Sequence, residues 1–228
     1  MSEFLDLDKI LNPLDSLETV VDLLSNEKPK WKFAVIAFDN AIYNFAVANL
    51  ATSNYKEVTN FYSDDDIGWK YSSDGKTFVS KKNFIDNKIG SYFIHWEETF
   101  QEIEENAVHE SPLKEYMQHT KEKLIGFWTA IARVCDGNLW MGRYTSSKPL
   151  KLNDSQWESL GIIHQLRNEF IHFIPMGVSI EIDFIKKHLK NLIEPLKFLA
   201  LSTGQILYVE KKDRVKVEAA INKINKLL

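Results

Sequence analysis

Apolar residues recur at helical spacing along most of this chain. Leu14, Leu17, Val20, Val21 and Leu24 mark one face of an amphipathic helix over 14–26. Residues 30–51 are apolar nearly all round, with Trp31, Phe33, Val35, Phe38, Ile42, Phe45, Val47 and Leu50, which predicts a central, buried helix. Phe93, Trp96, Phe100 and Ile103 continue the helical period over 93–107. Ser111-Pro112 is the start signal of a further helix. Its stripe of Leu113, Met117, Thr120, Leu124, Trp128, Ile131 and Cys135 alternates four and three, the seam of a helix bundle. Asn153 and Gln156 form a capping box ahead of a helix over 154–173, which Pro175 and Gly177 stop. Ser179 is expected to cap a helix over 180–203, kinked at Pro195. Val215, Val217, Ala220, Ile221, Ile224 and Leu227 predict a last helix over 212–227.

One stretch breaks the period. Over 64–81, Ile67, Trp69 and Tyr71 alternate, then Ser73-Asp74-Gly75 intervenes, then Thr77, Phe78 and Val79 follow. That is a β-hairpin signal. The expected architecture is an all-α helical bundle, one domain over 1–228, with a small hairpin inserted around 64–81.

Composition narrows the classes. The 228 residues are 44% hydrophobic, 26% charged and 12% aromatic, ordinary for a globular chain and too apolar for disorder. Cys135 is the only cysteine, which excludes a disulfide scaffold and a cysteine-based zinc site. The N-terminus is acidic and interrupted by Pro13, unlike a secretory signal. No uninterrupted run of about 18 apolar residues is visible, so no membrane span is expected and the cytoplasm is the default compartment. The net charge of −4 argues against a protein that coats nucleic acid over its whole surface. It leaves room for a local basic cleft. The 28 basic residues include four arginines, Arg133, Arg143, Arg167 and Arg214. Each is of interest because a guanidinium can read phosphate bidentately.

Candidate chemistry concentrates at residues 164–172. Arg167-Asn168-Glu169-Phe170-Ile171-His172 is an Arg-Asn-x-x-x-His pattern on the predicted helix. At helical spacing Ile163, Leu166, Phe170 and Phe173 share the core face, while His164, Asn168 and His172 stack on a stripe nearly opposite. That stripe is expected to face solvent or a partner. Arg167 lies about 140° round the helix from His172, so its long side chain must supply the reach. Two copies joined by two-fold symmetry would place two Arg/Asn/His sets across one seam, a positive site suited to a phosphodiester.

This pattern resembles the HEPN domain family, all-α bundles that carry Arg-x(4–6)-His on a late helix, commonly with Asn after the Arg. Many members are metal-independent endoribonucleases in toxin, defence or RNA-processing roles, with the active site at a dimer interface. The resemblance implies Arg167, Asn168 and His172 as catalytic residues, a homodimer through the motif helix, an RNA substrate, no cofactor and no metal. A toxin role would further imply an antitoxin or regulatory partner. His172 would take the proton from a ribose 2′-OH and Arg167 would neutralise charge on the phosphoryl oxygens.

Less specific features leave two meanings open. His164 is either a second imidazole in the cleft or part of a wet interface. Asp39 and Asn40 interrupt an apolar helix, and either support the motif helix or belong to a structural network. The alternative function is a non-catalytic HEPN-like module for dimerisation or for nucleic-acid or nucleotide binding. The intact Arg, Asn and His favour the enzyme; the absence of a basic cluster or stacking platform beside the motif in sequence favours the module.

Overall fold

A computed structural model describes residues 11–51, 58–61, 122–135, 147–171, 179–208 and 211–228. The hairpin expected over 64–81, the helix expected over 93–107 and His172 lie outside them. In chain order the elements are α1 (Leu11–Ser25), α2 (Trp31–Ala51), β1 (Thr59–Phe61), β2 (Glu122–Leu124), α3 (Phe127–Cys135), α4 (Asp154–Ile171), α5 (Ile182–Asn191), α6 (Ile193–Leu201) and α7 (Lys211–Leu227). The fold is an all-α helical bundle.

Helix α2 is its axis and packs against α1, α3, α4 and α6. Phe38, Ile42 and Phe45 are buried on it together with Ala34, Ala37, Ala41, Ala46 and Ala48. The alanines let neighbouring helices approach on more than one side, so the burial extends nearly all round. Three positions depart from the expected pattern. Phe33 is 54% exposed, and Trp31 and Val47 are only partly buried against the core. By length and composition α2 is also apolar enough to cross a membrane, contrary to the expectation from sequence. Its polar Asp39 is nevertheless held inside the bundle by α4. Helix α1 buries Leu14, Leu17, Val20, Val21 and Leu24 as predicted. Helix α7 closes the bundle against α1 and α6 through Val217, Ala220, Ile221 and Ile224, while Val215 stays exposed.

The helix expected from 112 to 135 is corrected over 122–126, its first ten residues lying outside the described ones. Residues Glu122–Leu124 form a strand antiparallel to β1, with Thr59 opposite Leu124, and the helix begins only at Phe127. The reason is where the backbone groups go. The Ile125 N–H donates to the Val58 carbonyl at 2.9 Å, and the Tyr43 hydroxyl donates to the Ile125 carbonyl at 2.5 Å. Groups committed to distant partners cannot also close helical turns. Gly126, a poor helix former, sits at the switch. Burial pushes the Tyr43 pKa up to about 12, so its phenol stays a donor.

The helix expected over 180–203 is divided at Leu192 into α5 and α6. Pro195 has no N–H for the Asn191 carbonyl, so the helical ladder is interrupted there. Leu192 bonds back three residues to Leu189, and Leu196 then resumes the regular pattern on Leu192. The cap residue of α5 is Glu181, without a side-chain cap bond, rather than Ser179. The capping box of α4 forms as expected: Asn153 N–H donates to Gln156 Oε1 at 3.0 Å, and Gln156 N–H to Asn153 Oδ1 at 2.9 Å. Beyond α6, Thr203 donates to Asn49 Oδ1, while Asn49 Nδ2 donates to the Leu199 carbonyl at 2.9 Å. Gly204 follows with φ 82°, the left-handed turn that lets the chain leave the bundle.

Candidate functional site

The motif helix α4 lies directly on α2. Ile163 is fully buried between them, and Leu166 and Phe170 pack partly against the core. One turn before Arg167, His164 points at α2. Its Nδ1 lies 3.1 Å from Oδ1 and 3.2 Å from Oδ2 of Asp39. An ionised carboxylate only accepts, so Nδ1 carries the proton and donates. Phe127 stacks on the imidazole at 3.9 Å and 12°, and Trp128 meets it edge-on at 5.4 Å.

Arg167 continues the same polar line. Its Nε is 3.8 Å from Asp39 Oδ2, an ion pair without hydrogen-bond geometry. Its Nη1 donates to Asn168 Oδ1 at 2.8 Å. Asp39 thus holds the imidazole of His164 closely and the guanidinium of Arg167 loosely. Exposure runs outward along that line: the side chains of Asp39, His164 and Arg167 are 3%, 11% and 30% accessible. Arg167 therefore keeps a rim open to a ligand, and His164 does not.

These positions correct the expected stripe. His164 is buried against its own chain, not turned to solvent or a partner. The sequence pattern marks a residue as polar without showing whether a buried acid on another helix satisfies it. Asp39 does contact the motif helix, whereas Asn40 is half-buried and no hydrogen bond joins it to α4 among the described residues. His172 lies outside the described residues, so its distance from Arg167 is not part of this geometry. Asp39→Ala would remove the acceptor of the His164 Nδ1–H and the counter-charge beside Arg167. The expected cost is about 2–3 kcal/mol. At this chain size that is a fall of about 4–12 °C in Tm, measurable by calorimetry or thermal circular dichroism.

A second polar cluster was not anticipated from the sequence. Asn191 Nδ2 donates to Ser159 Oγ at 2.9 Å, and Ser159 Oγ is 2.9 Å from His188 Nδ1. His188 is 1% exposed, and its Nε2 has no hydrogen-bond partner among the described residues. The available signal was spacing: Ile185, His188 and Leu189 share one helical face. Burial is the main cause that holds the His188 pKa below its usual value; Lys187 adds to it and Glu158 opposes it. Protonation makes both ring nitrogens donors, and Nε2 has no acceptor among the described residues. With the folded pKa below the unfolded one, the unfolded chain binds the proton more readily. Stability is therefore expected to fall as pH drops below about 6.5, the unfolded value, and to level off below the folded pKa. A pH series of Tm should show this loss, and His188→Asn should flatten it.

Among the described residues no group of three His, Cys, Asp or Glu is arranged to hold a metal ion. No family model matches the sequence, and neither a curated protein nor a solved structure matches it.

Proposed function

We propose that this protein is a metal-independent endoribonuclease of the HEPN type, with Arg167, Asn168 and His172 as its catalytic residues. The observation that supports this most is the Asp39-anchored guanidinium of Arg167. It is half-buried, oriented by Asn168, and lies five residues before His172 in sequence. An oriented cation with an accessible rim is what a phosphoryl group needs as charge grows on its oxygens.

In the proposed reaction His172 removes the proton from a ribose 2′-OH. That oxygen attacks the adjacent phosphorus while the bond to the 5′ oxygen breaks. The leaving oxygen takes a proton from water, the hydroxide left is neutralised by the His172 imidazolium, and the products are a 2′,3′-cyclic phosphate and a 5′-hydroxyl. The unperturbed pKa of histidine, near 6.5, suits this proton transfer near neutral pH. Asp39 and His164 act from behind as positioning residues for Arg167. Dimerisation through the motif helix is part of the proposal. It is supported by Ile171 at the end of α4 and by Ile182 and Phe184 in α5, which leave 41–47% of their surface exposed on two mutually packed helices.

A second reading has its own support. The carboxylate of Asp39 already offsets part of the charge on Arg167, and burial removes His164 as a second imidazole. Both fit a non-catalytic module that uses this face only to bind. Incubation with unstructured RNA in excess EDTA separates the two. The enzyme reading expects cleavage with cyclic-phosphate and 5′-hydroxyl ends. No cleavage, or cleavage abolished by EDTA, would overturn it.

A further inference from the structure

We propose that the outer ridge of α5, together with the start of α2, is a docking lane for the backbone of single-stranded RNA. This rests on the ribonuclease reading for the identity of its ligand. Asp183, Lys186, Lys187, Lys190 and Asn191 line a groove along α5 that extends to Leu228. The buried face of α5 is Ile185, His188 and Leu189, so the three lysines fall together on the opposite, outward side.

The fold then joins this ridge to a second basic segment that is distant in sequence. The Nζ of Lys186 sits over the ring of Trp31, 5.5 Å from its centroid. Trp31 opens α2 and is flanked by Lys30 and Lys32. The Nζ of Lys32 lies 5.9 Å from the ring centroid of Phe33, which is 54% exposed. In a chain of net charge −4, the lysine ridge of α5 thus meets the basic start of α2 at Trp31.

The chemistry of that combination selects a partner. A positive surface raises the local concentration of a polyanion and accelerates its arrival. Lys186 and Lys190 are four residues apart, about 6 Å along the helix axis. That matches the phosphate repeat of an extended strand. An exposed ring near such a track, here Phe33, accepts an unpaired base without regard to sequence. An anionic membrane would use the lysines but has no need of stacking faces.

The test is fluorescence anisotropy with a labelled single-stranded RNA, carried out in the His172→Ala protein so that cleavage does not enter. The triple reversal Lys186→Glu/Lys187→Glu/Lys190→Glu should weaken binding by at least about tenfold. It should also flatten the slope of log K against log salt by about 2, since each phosphate contact to a single strand contributes roughly 0.7. A charge-matched control, Lys148→Glu/Lys151→Glu/Lys216→Glu, should retain binding. Equal loss in both triples would reduce the effect to net charge and overturn the lane. Unchanged binding in the α5 triple would overturn it too. So would lysine-dependent binding to phosphatidylserine vesicles in a protein that ignores RNA. Cleavage by the otherwise wild-type chain is scored separately. Lane-dependent binding without cleavage would remove the enzyme and keep the lane; cleavage indifferent to the α5 triple would do the reverse.

Discussion

Trp128→Ala is expected to cost about 3–5 kcal/mol, the range for removing a large aromatic side chain from a packed core. Trp128 is 2% exposed and touches two rings: Phe127 at 5.1 Å and 88°, and His164 at 5.4 Å and 80°. Removing the indole opens a cavity beside the stacked pair of Phe127 and His164. The imidazole then loses one of the walls that hold it on Asp39. The measurable consequence is a Tm lower by about 6–20 °C. The loss should exceed that of Asp39→Ala, because a cavity adds to the lost contact area whereas a lost acceptor does not. Equal stability in wild type and Trp128→Ala would mean that α3 does not brace the motif helix.

The second large effect is on chemistry. Arg167→Ala is expected to slow RNA cleavage on the order of 10²- to 10³-fold, the usual loss when a donor to developing charge is removed. Its stability cost should be small, about 1 kcal/mol, because the side chain is 30% accessible and Asp39 keeps His164 as partner. Arg167→Lys should recover little of the rate. An ammonium restores the charge but lacks the planar fork that can bond Asn168 and a phosphate together. A series of kcat and Tm values on the three proteins tests this. Full recovery by lysine would reduce Arg167 to a point charge.

The parts of this molecule that were legible in sequence are those fixed by near neighbours. The capping box at Asn153 and Gln156 spans three residues and forms as read. The α1 stripe and the buried run of α2 follow from periodicity alone. What failed was set by distant partners. The seam through Leu124 and Trp128 has perfect helical spacing, yet Val58 and Tyr43 claim the backbone of Ile125 from 67 and 82 residues away. Helical spacing had put His164 on an outward stripe; its buried acceptor, Asp39, lies 125 residues earlier. Asp39 itself was visible as a polar break in an apolar helix, but its partner was not. The basic lane was hidden for the same reason, because Trp31 and Lys186 meet only through the packed bundle.

Under the proposed function His164 and His172, eight residues apart, have different duties: the first positions Arg167 and the second is the base. One measurement separates them: RNA cleavage in excess EDTA, alongside thermal unfolding, for His172→Ala and His164→Ala. His172→Ala should lose at least about a hundredfold in cleavage, within the range for a lost general base, while its Tm holds. His164→Ala should lose about 2–3 kcal/mol of stability with its Asp39 contact. Below its lowered Tm it should still cleave more than His172→Ala. Cleavage at the wild-type rate in His172→Ala would contradict the central claim.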